Sequence, residues 1–252
     1  MEAPLLEIKD LNKAFGNVVT AKDLNITFSS GVLASIIGAN GAGKSTLINM
    51  ITGFIPPDSG EIIFRGHNIT REPIDRRVRL GLCRSFQVAN VFTNLSLFEN
   101  IAIPILAVHK KSKKVFTSVQ KDGFIREEVG RILEQIGLLE YSHTPAAALS
   151  HGDRRLLEVG IALAAKPTLL FLDEPTAGMN PVERTRMLQN IRELARRGAV
   201  TFVIVEHDMD VVFSLSERVI VLHRGGIIGD GTPEEVQANE KVREVYLGEE
   251  VV

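Results

Sequence analysis

With 252 residues, 44% of them hydrophobic and 24% charged, the chain can bury a sizeable core and lies outside the composition of disordered or fibrous proteins. A formal net charge of −2 gives no global field for a nucleic-acid backbone and no convincing basic patch replaces it, while the single cysteine, Cys83, excludes an internal disulfide or a cysteine-built zinc site and fits a reducing compartment. The N-terminus reads as no secretory signal and no run reaches the roughly 18 apolar residues of a membrane span, so work at a membrane would require docking on something embedded there.

Alternating apolar residues over Leu5 to Leu11 and at Leu24, Ile26 and Phe28 predict antiparallel strands, with Ser29-Ser30-Gly31 as a turn. Val32 to Ile37 reads as a further strand. It runs into Gly38-Ala39-Asn40-Gly41-Ala42-Gly43-Lys44-Ser45, and from Lys44 a helix is expected, with Leu47, Ile48 and Ile51 on one face and Gly53 as its stop. This is the complete G-x-x-x-x-G-K-[ST] phosphate cradle in the strand, loop and helix context that its mechanics require, and it predicts a bound nucleoside triphosphate. Backbone N–H groups turn inward around the β-phosphate, Lys44 brings a mobile charge to the β/γ oxygens, Ser45 offers its hydroxyl to Mg²⁺ and the helix adds its positive end, with Thr46 next in line. A merely tight glycine turn is the bland alternative, and the full motif in this context outweighs it.

Glu61 to Phe64 predicts another short strand, and the arginines from Arg65 to Arg84, like Lys110 to Lys114 with Lys121, read as solvated charge. From about Ser96 to Ala165 the pattern is helical, with Ile125, Val129, Ile132, Leu133 and Ile136 forming one stripe before Gly137. Past Pro167, Leu169 to Leu172 and Phe202 to Val205 read as buried parallel strands, and Val219 to Leu222 and Ile227-Ile228 flank a hairpin turn at Arg224-Gly225-Gly226. Helix starts are expected at Ser150 with Asp153, at Asn180 with Pro181 and Glu183, and at Thr232 with Pro233 and Glu235.

The strand from Leu169 ends in Asp173-Glu174, adjacent acids that side-chain alternation aims in different directions. Downstream of a phosphate cradle, Asp173 is expected to reach the metal held by Ser45, and Glu174 to orient or deprotonate the attacking water. Ser150 as N-cap with Asp153 at N3 opens a helix whose free N–H groups could bind an anion; a plain capping box explains both residues but not Gly152, whose missing side chain lets phosphate approach.

Leu149-Ser150-His151-Gly152-Asp153, followed by Arg154-Arg155, resembles the LSGGQ signature of the ATP-binding subunits of ABC transporters. The resemblance covers essentially the whole chain. Phe15-Gly16 is similar to the loop whose aromatic ring stacks on adenine, Gln87 in Arg84-Ser85-Phe86-Gln87 to the Q-loop glutamine, and His207 in Glu206-His207-Asp208 to the switch histidine. It implies ATP and Mg²⁺ as ligands, with Glu174, His207, Gln87 and Lys44 catalytic, and Ser45, Gln87 and Asp173 holding the metal. Phe15, Gly38, Asn40, Gly41, Ala42, Gly43, Lys44, Ser45, Thr46, Ser150 and Gly152 would contact nucleotide. It also implies a head-to-tail dimer with an identical or homologous subunit, in which the signature reaches the γ-phosphate held by the other chain. The implied fold is α/β: a mixed-sheet core from 1–86 and 166–252, an antiparallel β subdomain and an inserted helical subdomain over 87–165.

The sequence departs from the family pattern where His151 replaces a glycine, Asp153 replaces glutamine, and Ala177-Gly178-Met179-Asn180 follows the acids; His151 reads as a tolerated substitution. Arg84-Ser85-Phe86-Gln87, the Asn94 to Asn100 stretch, the Asp173 to Pro181 run and the tail from Val245 to Glu249 resemble the branch that imports branched-chain and other hydrophobic amino acids, or urea and short amides. The partners so implied are integral membrane permease subunits, with the chain peripheral on the cytoplasmic face of the inner membrane. Val91, Phe92, Leu95, Leu97 and Phe98 within Val88 to Phe98 suggest a docking groove for a permease helix, with subdomain core as the alternative. A lipopolysaccharide exporter ATPase resembles the chain in size and ending, but Ser-Phe-Gln favours the importer. A soluble ABC protein acting on nucleic acid or the ribosome should carry two cassettes or a long coiled coil, and a GTPase should carry a late N-K-x-D, whereas Asn12-Lys13 is early and followed by Ala14-Phe15.

Overall fold

The computed structural model describes residues 3–85, 91–109 and 121–247. Strands β1 (Leu6–Phe15) and β2 (Val18–Phe28) form an antiparallel hairpin, and β4 (Ser59–Phe64) pairs with the other edge of β1 and with β5 (His67–Asn68), giving a four-stranded antiparallel sheet. The first strand runs four residues beyond its sequence-predicted end at Leu11. Past Ile8 its register with β2 shifts, and side-chain amides take over part of the ladder: Asn25 Oδ1 accepts from Asp10 N at 3.1 Å and Asn12 Oδ1 from Asp23 N at 2.9 Å. Polar residues therefore continue a strand whose alternation has been lost.

A second, six-stranded sheet takes in β3 (Ala34–Ile37), β6 (Leu82–Arg84), β7 (Leu169–Asp173), β8 (Thr201–Val205), β9 (Arg218–His223) and β10 (Gly226–Gly231). Its order is β10-β9-β3-β8-β7-β6, parallel except for β10, which returns from β9 through the expected hairpin. Every residue of β3, β7 and β8 is buried, as sheets covered on both faces require. Alternation divides these strands between two cores. Ala34, Ile36, Phe171, Val203 and Val205 pack with the antiparallel sheet and helix α1 (Lys44–Thr52), whereas Leu170, Leu172, Phe202 and Ile204 pack on the other face.

That other face receives α3 (Leu97–Val108), α4 (Gly123–Gln135) and α5 (His151–Ala164), which pack on one another, with α2 (Ile74–Leu80) lying before β6. The predicted stripe of Ile125, Val129, Ile132, Leu133 and Ile136 is buried throughout. Helices α6 (Pro181–Arg196), α7 (Met209–Leu215), α8 (Pro233–Ala238) and α9 (Glu240–Leu247) complete the described chain. The architecture is α/β with a mixed sheet, an antiparallel sheet and an inserted helical layer.

Asn180 and Thr232 head full reciprocal capping boxes with Glu183 and Glu235. Ser150 accepts from Asp153 N at 3.1 Å, but Asp153 is a methylene shorter than glutamate and its carboxylate takes the Ser150 hydroxyl at 3.0 Å instead. The arginines of 65–84 are not uniformly solvated, as the sequence suggested. Arg77 is buried: its guanidinium donates to the carbonyls of Met50 and Ile51 at the end of α1 and to those of Thr70 and Glu72. Burial lowers its pKa to about 10, leaving it charged at neutral pH.

Candidate nucleotide-binding site

The loop between β3 and α1 is held from outside by two backbone contacts. Gly225 N donates to Ala42 O at 3.0 Å, and the β2 backbone presses so close to Gly43 (φ +106°) that an added Cβ would lie 2.2 Å from Thr20 O. Only glycine meets both the left-handed conformation and that approach. Gly41, also at positive φ, faces open space.

Asn40, Gly41, Ala42, Gly43, Lys44, Ser45 and Thr46 line a cavity of about 260 Å³ together with Thr20, Ala39, Asp173, Glu174 and Val205. Gly38 lies just beneath, its carbonyl accepting from Lys44 Nζ, which also reaches Ala39 O at 3.2 Å. Burial lowers the Lys44 pKa, while the Glu174 and Asp173 carboxylates act in the opposite direction. The cavity thus joins a glycine-rich loop and an ammonium to two acids at a facing strand end, a combination suited to a polyphosphate and a divalent cation. Phe15 ends β1 at the hairpin tip, 51% exposed, with Lys13 Nζ 5.4 Å from its ring centroid, and it does not line this cavity.

Asp173 and Glu174 both line the cavity but reach different partners, because the chain leaves the strand between them rather than continuing its alternation. Asp173, buried at the end of β7, is paired with Arg84 of the adjacent β6, whose other amino group donates to Asn49 Oδ1 of α1 at 2.6 Å. Glu174 turns off the strand at φ +45°, and its Oε1 lies 3.3 Å from His207 Nδ1. Just before His207, Glu206 is buried and accepts from Thr176 Oγ1 at 2.8 Å. Burial raises the Glu206 pKa, opposed by the Thr176 bonds and by His207.

Ser150 and Gly152 begin α5 outside this cavity. The space expected at Gly152 for phosphate is taken within the chain by Glu183: a Cβ at Gly152 would lie 2.8 Å from Glu183 Cγ, and Gly152 N donates to Glu183 Oε1 at 3.2 Å. His151 Nε2 lies 3.2 Å from Ala177 O, and Arg186 pairs with Asp153 at 2.6 Å. Sequence reasoning missed Glu183 beyond its capping role, and missed Arg84, which was visible only as an arginine ending one apolar strand while an acid ends another.

Gln87 lies outside the described residues. Of the groove expected over Val88 to Phe98, residues 88–90 lie outside the described residues and the rest is largely core: Val91, Leu97 and Phe98 are buried and Phe92 alone of the bulky residues there is strongly exposed, at 56%. Asn100 explains this, since its side chain bonds the Phe92 N–H and carbonyl and turns the segment over the end of α3. A different apolar groove, of about 220 Å³, is lined by Phe54, Ile74, Val78, Pro104, Ile161 and Ala162, with Arg84 and Ser85 among its other walls.

The ABC transporter family profile matches residues 21–177, and a profile of branched-chain amino acid ATP-binding cassette transporters matches residues 227–252. The chain belongs to the ABC transporter family, as an ATP-binding protein that hydrolyses ATP. It is 34% identical over 257 residues to the high-affinity branched-chain amino acid transport ATP-binding protein LivG of Escherichia coli K12, covering 99% of this chain and 100% of that one. It is 36% identical to a probable LivG of Archaeoglobus fulgidus, covering 97% and 95% of the two chains. Among solved structures, the ADP conformation of MJ1267, an ATP-binding cassette of an ABC transporter, superimposes with a TM-score of 0.83 at 32% identity, covering 98% of this chain and 100% of that one. Among the described residues no helix is long and apolar enough to cross a membrane.

Proposed function

We propose that this chain is the ATPase subunit of an importer for branched-chain or other hydrophobic amino acids, peripheral on the cytoplasmic face of a membrane through its permease. The observation that carries the ATPase chemistry is the cavity shared by the loop residues Ala39 to Thr46, Asp173 and Glu174, with His207 beside Glu174. Full-length likeness to LivG proteins and the tail profile support the transport branch over a lipid exporter.

In this reading Lys44 and the loop amides hold the phosphates and Phe15 offers its ring to adenine. Mg²⁺ would be held by Ser45 and Asp173, which line the cavity together, with Gln87 completing the set. Bound there, Mg²⁺ would supply positive charge against the phosphates. Glu174 orients and deprotonates the water, and His207 fixes the carboxylate at Oε1 and reaches toward the γ-phosphate. Ser150 and Gly152 serve the γ-phosphate of a second subunit, head to tail. Residues 87–165 act as an inserted subdomain on a core of 1–86 and 166–252. The permease docks in the groove of Phe54, Ile74, Pro104 and Ile161, whose wall includes Arg84, the partner of Asp173.

The test is reconstitution with the permease and binding protein from neighbouring genes. ATP-dependent uptake of leucine into vesicles is expected, and uptake of urea or acetamide but not leucine, or lipid export, would overturn the assignment. Ile74→Asp should keep nucleotide affinity and lose co-purification with the permease; retained co-purification would move the docking surface elsewhere.

A further inference from the structure

We propose that Glu183 is an intramolecular stand-in for phosphate at the N-terminus of α5, so that ATP carried by a second subunit must displace a carboxylate of this chain before the pair can close. The inference rests on the head-to-tail reading above. It adds a competing residue to the signature and a link from that signature back to the chain's own catalytic loop.

A helix N-terminus presents unpaired N–H groups and the positive end of the dipole, and a carboxylate meets that demand as a phosphate does. Glu183 Oε1 accepts from Gly152 N at 3.2 Å, while its Oε2 stands 3.4 Å from Asn180 N. One carboxyl group therefore bridges the starts of two helices. A residue serving only the cap of α6 would leave Gly152 N without this acceptor, whereas Glu183 bonds both amides. The Glu183 side chain also fills the niche that the absent Gly152 side chain creates, with Cγ, Cδ and Oε1 all within 2.9 Å of where a Cβ would stand. Both things that phosphate needs at Gly152, the donor and the space, are held by one side chain.

Two negative groups cannot share one N–H, and unit charges at about 4 Å repel appreciably even near a protein surface. Entry of the γ-phosphate therefore requires Glu183 to leave. The neighbouring ties, Asp153 to Arg186 at 2.6 Å and His151 Nε2 to Ala177 O at 3.2 Å, hold the two segments together while it does so. Because Glu183 also caps α6, its release bears on Ala177 to Asn180, the loop that leads back to Glu174. Phosphate arriving at the signature of one chain is thereby felt at that chain's own catalytic carboxylate.

The experiment compares Glu174→Gln with Glu174→Gln/Glu183→Gln by sedimentation in Mg-free ATP. Glutamine at N3 preserves the capping box, so thermal unfolding should fall only by the modest charge–dipole contribution, while the charge that competes with phosphate is gone. The double variant should dimerise at a protein concentration about five-fold lower or more. An equal or higher concentration overturns the inference. If neither variant dimerises, the head-to-tail reading is what fails, and Glu183 is judged by nuclear magnetic resonance of the Gly152 amide. Inorganic phosphate should then shift that resonance at several-fold lower concentration in Glu183→Gln than in the native chain, and identical titrations overturn the displacement itself.

Discussion

His207 Nδ1 lies 3.3 Å from Glu174 Oε1, although the two residues belong to different loops. Parallel pairing of Asp173 with Val205 ends β7 and β8 side by side, which brings Glu174 at the cavity wall within reach of His207 just past the end of β8. Geometry of this kind makes the pair a unit.

Glu174→Gln should bind ATP normally and lose hydrolysis by about 10² to 10⁴, the usual worth of a general base. His207→Ala should lower kcat with unchanged ATP affinity. Because the two act together, adding it to Glu174→Gln should cost little more. Turnover and equilibrium ATP binding of the three variants check this, and additive losses would separate the residues. Lys44→Ala should weaken nucleotide binding itself.

Arg84→Met should leave Asp173 buried without its countercharge, destabilising the fold by about 3–5 kcal/mol. Mg²⁺ with nucleotide should restore part of the loss by taking the place of the guanidinium charge. Thermal unfolding with and without Mg-nucleotide reads both effects, and an unchanged midpoint would show that the pair is idle.

Arg77→Met should be among the more damaging single changes, since it removes one buried donor from each of the carbonyls of Met50, Ile51, Thr70 and Glu72, of which Met50 keeps the Gly53 N–H. A loss of about 3 kcal/mol corresponds to a midpoint lowered by about 6–12 °C for a chain of this size. Arg77→Lys should recover only part, because an ammonium cannot fork to all of these acceptors.

Glu206→Gln should stabilise the chain at neutral pH. Burial raises the folded-state pKa of Glu206 above its ordinary 4.5, so the folded chain holds this proton more tightly than the unfolded one. Its contribution to stability is present below about 4.5 and is lost as pH rises through the folded pKa. The glutamine variant has no charge to bury and keeps an acceptor for Thr176. Its advantage in unfolding midpoint should therefore grow with pH and vanish under acid; a constant difference would mean that the proton is not involved.

Legibility followed locality. The phosphate loop, the buried strands, the stripe of α4 and the caps at Asn180 and Thr232 are written in consecutive residues, and each sits where its pattern put it. Contacts across the fold left no such trace. Arg77 and Arg84 read as surface charge because their partners lie in other segments, Glu183 read as a cap because its other oxygen serves Gly152, 31 positions earlier, and Leu97 and Phe98 looked like a docking surface because apolarity alone does not distinguish an interface from a core. The loop from Gly38 to Ser45 was legible because binding a phosphate needs its residue types at fixed spacing.

The alternation along β3, β7 and β8 makes the central sheet a partition between two independently filled compartments. Resizing Phe171 or Val203 disturbs α1 and the loop above it, whereas resizing Leu170, Leu172 or Phe202 disturbs the helical side. In evolutionary terms the two halves are free to drift apart: a lineage can remodel the surface it offers to another protein through substitutions that never touch the packing beneath its phosphate cradle.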